Sequence, residues 1–245
     1  MLVKTLKSIA CILLFFAFLP LMAQKSSEAE NIFKKYLEKE ETTVAKIIVN
    51  INDSLYSEYC KAILADNLSK KRTHFFRFIS LDPPYGVARA FYNLGLSYAQ
   101  ANKLDSALFY YNISLRKDST YLYSYYHRGE LYSMFEQHQK AISDFNMVIK
   151  MSPSFANAYL LRGNSYLAIK DYPNALADFN KTIEFDAYSD QAYLMRGVVY
   201  REQKDYLIAI ENWKQAKKIS SLNDEVADQL IQEVRNLIKD EKKKK

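Results

Sequence analysis

The 245-residue sequence contains little cysteine, histidine, glycine or proline, with two, three, five and five residues respectively. Cys11 lies in an N-terminal run that is predicted below to be removed, which leaves Cys60 alone and excludes an intrachain disulfide. His74, His127 and His138 share no metal-ligand spacing with one another or with Cys60, so no metal-binding residue is predicted. The scarcity of glycine and proline, against average contents of about 7% and 5%, favours uninterrupted helices.

Motifs of common catalytic and nucleotide-binding sites are absent as well. The chain has no H-E-x-x-H, G-x-S-x-G or G-x-G-x-x-G sequence, so no catalytic residue and no cofactor is predicted. Residues 70–78 mix basic and aromatic side chains as single-strand nucleic-acid binders do. Phe75, Phe78 and Ile79 fall on one helical face, which favours packing, and no nucleic-acid partner is expected.

The chain does contain a repeat of 34 residues. Four of its five glycines lie 34 residues apart, and each is followed by a tyrosine after three residues, an alanine after twelve and a large aromatic residue after sixteen. In chain order these sets are Gly95, Tyr98, Ala107, Tyr111; Gly129, Tyr132, Ala141, Phe145; Gly163, Tyr166, Ala175, Phe179; and Gly197, Tyr200, Ala209, Trp213. Such a period is typical of a solenoid in which each unit packs against the next.

The pattern resembles the tetratricopeptide repeat, a helix–turn–helix unit. That family has an aromatic residue four positions before the glycine, as Phe91, Tyr125, Tyr159 and Tyr193 are here. This chain departs from the family in two ways: arginine replaces leucine before three glycines, and only one repeat has the closing proline, Pro153. The resemblance covers residues 88–221. With the segments on either side, it predicts an all-α solenoid of four tandem helix–turn–helix repeats with flanking N-terminal helices and a C-terminal capping helix.

A packing argument supports the same fold. Glycine inside a helix costs about 1 kcal/mol relative to alanine, so four glycines in register require a close approach between backbones. Apolar spacing predicts helices at 88–101, 104–117, 121–135, 138–151, 155–169, 172–185, 189–203 and 206–219. The predicted organisation is a signal peptide at 1–23, an N-terminal segment at 24–87, repeats at 88–121, 122–155, 156–189 and 190–221, a capping helix at 222–240 and a lysine-rich tail at 241–245.

The first 23 residues have the features of a secretory signal peptide. Lys4 and Lys7 precede an apolar run that ends at Leu19, and Ala23 provides a cleavage site before Gln24. The run is shorter than the ~20 residues that span a bilayer. We therefore predict export to the periplasm or the extracellular space, with no membrane span after cleavage. An uncleaved anchor and a buried helix are the alternatives.

The segment between the signal peptide and the repeats has no signature residues. Residues 29–45, 54–67 and 72–81 are predicted to be helical, and residues 47–51 are predicted to be a short strand. The last two helices are interpreted as a degenerate repeat, with Cys60 as a small buried apolar residue. At the other end, Asn223 is a predicted N-cap. The following helix has the stripe Val226, Leu230, Val234, Leu237 and Ile238, which is expected to cover the last repeat.

The arginines beside three glycines are paired with residues sixteen positions later. Arg128 pairs with Asp144 and Arg162 with Asp178, whereas the first repeat has Leu94 and Tyr110 in the same two positions. Because the two positions change together, we predict a direct contact in each repeat rather than an anion-binding site. The fourth repeat has Arg196 with Asn212, a neutral version of the pair.

The resemblance implies a concave groove, lined by the first helix of each repeat, that holds a peptide or helix of a partner protein. The second, fifth, ninth and twelfth positions of each repeat line it, and its chemistry here is apolar and aromatic with few charges. The residues are Arg89, Tyr92, Leu96, Ala99; Tyr123, Tyr126, Glu130, Ser133; Asn157, Leu160, Asn164, Leu167; and Gln191, Leu194, Val198, Arg201. Tyr92 and Leu96 replace the lysine and asparagine with which one branch of the family holds a C-terminal carboxylate. The alternative is that the tyrosines only pack between helices.

The sequence thus predicts a non-catalytic scaffold for protein–protein interaction in the cell envelope, with a protein or peptide as its partner. Two alternatives from other classes are kept. One is an enzyme with its site in residues 25–87, and the other is a helical-repeat RNA binder, whose family has a 35-residue period.

Overall fold

The computed structural model describes residues 54–82, 86–220 and 224–243. The predicted signal peptide, the helix at 29–45, the strand at 47–51 and the N-cap Asn223 lie outside these residues. The described residues form helices only, in two units that divide near Pro83 and Pro84. The helices are α1 Ser54–Leu64, α2 Leu68–Ser80, α3 Val87–Gln100, α4 Leu104–Lys117, α5 Leu122–Met134, α6 His138–Met151, α7 Ala156–Ala168, α8 Tyr172–Phe185, α9 Asp190–Glu202, α10 Tyr206–Ile219 and α11 Asp224–Lys243.

The first unit contains the pair α1 and α2. The Tyr59 ring packs edge-on against Phe75 and Phe78, with ring centroids 5.5 and 5.2 Å apart. Cys60 is fully buried, as predicted. The second helix begins four residues before the predicted start because Asn67 caps it: the Asn67 side chain accepts a 2.8 Å hydrogen bond from the Lys70 N–H.

The second unit contains four helix pairs in succession, α3–α4, α5–α6, α7–α8 and α9–α10, followed by α11. The bounds of the eight helices agree with the predicted ones within one residue at each end. In the third repeat, a methyl group added at Gly163 would lie 2.8 Å from Cε1 of Phe179, a fully buried ring. The glycine is therefore required for close approach of the two helices, as the sequence predicts.

The turn between the two helices of each repeat has the same backbone conformation. Asn102, Glu136, Lys170 and Lys204 all have positive φ, between 55° and 67°. The next N–H donates a hydrogen bond to the carbonyl of the repeat tyrosine, as from Asp171 N to Tyr166 O at 2.9 Å. This is the Schellman arrangement, which ends the first helix and reverses the chain.

Helix α11 covers the last repeat. Ala227, Ile231 and Val234 are buried against Trp213 and Ala216 of α10. The predicted stripe is wrong in two positions, since Val226 and Leu237 are 46% and 40% exposed. Among the described residues, no helix is both long and apolar enough to cross a membrane.

Candidate partner-binding site

The first helices of the repeats, α3, α5, α7 and α9, form what we call the first-helix face. Helix α7 contacts both α5 and α9, so the first helices of repeats 2 to 4 lie side by side. All the sequence-predicted binding residues belong to these four helices. The face is thus a single surface that continues from repeat to repeat.

The predicted arginine pairs are confirmed. Arg162 donates from Nε and Nη2 to the two carboxylate oxygens of Asp178, at 2.8 and 2.6 Å, and Arg128 makes the same two bonds to Asp144. In the fourth repeat Arg196 donates from Nε to Asn212 at 2.6 Å. The third repeat's guanidinium also lies against the rings of its own Tyr159 and Tyr166.

Each of these arginines also reaches the repeat before its own. Arg128, Arg162 and Arg196 donate from Nη1 to the side-chain oxygens of Asn112, Asn146 and Asn180, at 2.7, 2.5 and 2.6 Å. The three asparagines again lie 34 residues apart. The guanidinium groups are therefore occupied by contacts that hold successive repeats in register, which accounts for them without an anion-binding role.

Aromatic side chains gather on the first-helix face of repeats 1 and 2. The Tyr92 ring lies 5.2 Å from Tyr121, 6.1 Å from Tyr123 and 5.7 Å from His127 between ring centroids. Tyr126 continues the array, 5.0 Å from His127, and stacks on Phe155 at 5.2 Å. We call this set the aromatic cluster: Tyr92, Tyr121, Tyr123, Tyr126, His127 and Phe155. Tyr123 is its most open member, with 53% of its surface exposed.

A carboxylate lies beside the aromatic cluster. Oε2 of Glu130 is 2.6 Å from Nδ1 of His127, and 34% of the Glu130 side chain is exposed. Because an ionised carboxylate only accepts hydrogen bonds, Nδ1 of His127 carries the proton. Burial, together with the nearby charge of Glu130, raises the pKa of Tyr126 to about 12, and the same two causes raise the pKa of Tyr111.

The predicted lining residues differ widely in burial. Leu160 and Leu194 are only 5% exposed, because Leu160 packs with Phe179 and Leu194 with Trp213, so these two belong to the hydrophobic core. Tyr123 and Asn157 are exposed. The remaining predicted binding residues are partly buried, namely Arg89, Tyr92, Tyr126, Glu130, Asn164, Val198 and Arg201.

Two polar members of the predicted lining have particular surroundings. Arg201 is engaged in ion pairs, with Glu202 at 2.8 Å and with Glu233 of the capping helix at 3.5 Å. The side-chain oxygen Oδ1 of Asn164 is buried and has no hydrogen-bond partner within the described part of the chain. Neither residue adds an open aromatic surface, so the open aromatic part of the face is the aromatic cluster in repeats 1 and 2.

Sequence reasoning did not select Tyr121, Phe155 or His127 as binding residues. The first two precede α5 and α7 and occupy the same place in successive repeats, 34 residues apart. That equivalence was visible in the sequence. Their contacts with Tyr92 and Tyr126, on the first helix of the same 34-residue repeat, were not visible, since they depend on how the helices pack.

A shallow pocket of about 410 Å³ lies in the described part of the N-terminal segment. Its lining is Lys61, Leu64, Ala65, Asp66, Lys70 and His74, with no serine, threonine or cysteine. His74 Nδ1 lies 2.8 Å from Oε2 of Glu58, which engages it in a hydrogen bond. No group of three potential metal ligands occurs among the described residues. The enzyme alternative thus gains no specific support from this pocket.

Comparison with known proteins identifies the repeats. Two tetratricopeptide repeat models match the chain, at residues 88–116 and 126–192. Both segments lie within the helix pairs described above, so the chain contains tetratricopeptide repeats. A comparison with curated proteins finds no significant match.

Several solved structures share this fold. A tetratricopeptide repeat protein from Parabacteroides merdae ATCC 43184 is 19% identical, with a TM-score of 0.65, and the match covers 76% of this chain and 73% of that one. A crystal structure of MamA is 20% identical, with a TM-score of 0.59, covering 64% of this chain and 91% of that one. MamA 41-end from Desulfovibrio magneticus RS-1 is 15% identical, with a TM-score of 0.59 and coverages of 71% and 94%. At these identities the likeness shows the fold alone.

Proposed function

We propose that this protein is an exported interaction scaffold that binds a peptide or helix of a partner protein on its first-helix face, centred on the aromatic cluster. The observation that carries the proposal is the open position of Tyr123 beside Tyr92 and Tyr126. A face that was only exposed to solvent and bound no partner would be expected to carry lysine and glutamate at these positions.

Tyrosine side chains suit such a role for a physical reason. They offer a large contact area and a hydroxyl group, and fixing them costs little conformational entropy because they have only two side-chain torsions. Binding to a short groove is expected to be weak, around micromolar, or about −8 kcal/mol. With few charges on the face, affinity should fall only mildly as salt is raised.

The interaction is tested by photo-crosslinking in the native cell. A benzoylphenylalanine placed at Tyr123 is expected to crosslink to a protein that mass spectrometry can identify. Tyr188 is the matched control, because it is a tyrosine with 82% exposure in the turn between repeats 3 and 4. Crosslinking of the same proteins with equal yield at both positions would contradict a binding site at the aromatic cluster.

Export is the second part of the proposal, and it rests on the charged start, the short apolar run and Ala23. The mature protein is expected to begin at Gln24 and to serve a process of the cell envelope. N-terminal sequencing of the native protein checks the cleavage site. Recovery of a chain that retains Met1 from the cytosol would refute export.

A further inference from the structure

The charges on the first-helix face are unequally satisfied. Arg128, Arg162 and Arg196 are held by asparagine and aspartate side chains, and Arg201 is held by two glutamates. Glu130 is different, because its ion-pair partner among the described residues is His127 and not a lysine or arginine. The carboxylate therefore has no permanently charged partner among the described residues.

The tyrosine rings of the aromatic cluster provide a second feature that favours a cation. Ring faces of tyrosine attract cations, because the π-electrons carry a negative quadrupole. Burial and then the nearby Glu130 carboxylate raise the pKa of Tyr126, a member of the cluster, and of Tyr111, whose ring lies 6.1 Å from that of His127. Glu130, Tyr123 and His127 are all reachable from solvent.

From this arrangement we propose that the segment bound at the aromatic cluster carries a lysine or arginine, which lies against the Tyr123 and Tyr126 rings and pairs with Glu130. This inference rests on the proposed function and specifies the chemistry of its partner. The apolar residues on either side of the partner's cation pack on the rest of the cluster. A partner segment that is recognised through a carboxylate is disfavoured, because the Glu130 carboxylate would repel it.

Immobilised peptide pools test the inference without knowledge of the natural partner. Each pool has the form acetyl-X4-Z-X4-amide, where X is a mixture of Ala, Leu, Tyr and Gln, and Z is Arg, Lys, Gln or Glu. Retention of the purified protein is measured on each pool. The Arg and Lys pools are expected to retain it about fivefold better than the Gln pool, the size of one partly exposed ion pair with a cation–π contact.

Variants test whether Glu130 is responsible for the preference for the Arg and Lys pools. Glu130→Gln keeps an acceptor for His127 but removes the charge, and it is expected to abolish the preference for the Arg and Lys pools. Glu211→Gln is the matched control, because it removes the same charge from an exposed position on α10 and should leave the preference unchanged. Thermal melting of both variants verifies that each is folded.

The outcomes separate this inference from the proposed function. Equal retention on all pools, lost in Tyr123→Ala and kept in Tyr188→Ala, would leave the proposed function standing and overturn the cation preference. A preference for the Glu pool, or one that survives Glu130→Gln, would also overturn it. Retention on no pool would count against both the groove and its specificity.

Discussion

Arg162 and Asp178 face each other across the two helices of one repeat and are joined by two parallel hydrogen bonds, Nε to Oδ2 at 2.8 Å and Nη2 to Oδ1 at 2.6 Å. Only 4% of the Asp178 side chain is exposed. A charge buried this deeply is costly once it loses its partner. The main contribution of the pair is therefore that neither buried charge is left without a partner.

We predict that Arg162→Leu destabilises the protein by about 3–5 kcal/mol, because it strands Asp178. The first repeat offers a natural replacement, since it carries Leu94 and Tyr110 at these two positions. The double variant Arg162→Leu/Asp178→Tyr should therefore recover much of the loss. Urea unfolding of the two single variants and the double variant measures the coupling, and additive losses would show that the two residues act independently.

The glycine of the third repeat gives a prediction in which two effects compete. Gly163→Ala should gain about 1 kcal/mol from helix propensity, but the added methyl group would lie 2.8 Å from the buried Phe179 ring. Overpacking of this kind costs about 1–3 kcal/mol, so a net loss of stability is expected. A more stable Gly163→Ala protein would mean that the helices can move apart freely.

Burial separates the core of the first-helix face from its surface. Leu160→Ala is expected to cost about 2–5 kcal/mol, because Leu160 is 5% exposed and packs on Phe179. Tyr123→Ala is expected to change stability by less than about 0.5 kcal/mol. Chemical unfolding measures both. A loss of binding in Tyr123→Ala can therefore be assigned to a lost contact, whereas a loss in Leu160→Ala could result from unfolding.

Tyr126 makes the stability dependent on alkaline pH. Its pKa is raised from 10.0 to about 12 in the folded protein, mainly by burial and then by the charge of Glu130. Above pH 10 the unfolded chain loses the phenolic proton while the folded protein retains it. The stabilising contribution is therefore complete below pH 10 and is lost as the pH rises to about 12.

The expected size is up to about 1 kcal/mol after allowance for solvent screening, and Tyr126→Phe should remove it. Urea unfolding between pH 9 and pH 11, roughly the interval over which a free tyrosine ionises, measures the difference. Tyr188→Phe, at a side chain that is 82% exposed, is the matched control. If both variants lose stability in parallel with the original protein, Tyr126 titrates as an ordinary surface tyrosine.

The periodic part of the fold was predictable residue by residue. The glycine, alanine and aromatic positions fix which faces of two helices meet, because only those faces allow a close approach, and the helix bounds follow within one residue. The contact of Arg162 with Asp178 was predictable for a related reason. When two positions change together between repeats of one chain, a direct contact between them is indicated. In the first repeat a leucine and a tyrosine replace both members of the arginine–aspartate pair.

The candidate site was less accessible to sequence reasoning. Positions that line a groove in idealised repeats gave Tyr92, Tyr123 and Tyr126, which do lie together in the structure. They also gave Leu160 and Leu194, which the packing of adjacent repeats buries. Whether a lining residue is open or buried depends on the distance between the helix axes and on the direction of its side chain. Its position within the repeat specifies neither.

The sequence by itself determined the repeat, its helix–turn–helix unit and the pairing of its buried charges, because these depend on local spacing along one chain. Only the tertiary structure decided which side chains of the first-helix face remain open. Packing brings Tyr121 onto Tyr92 and Phe155 onto Tyr126, and it leaves Glu130 beside an aromatic surface without a lysine or arginine partner among the described residues. Those relations depend on where the side chains lie in space, and they exist only once the helices have packed.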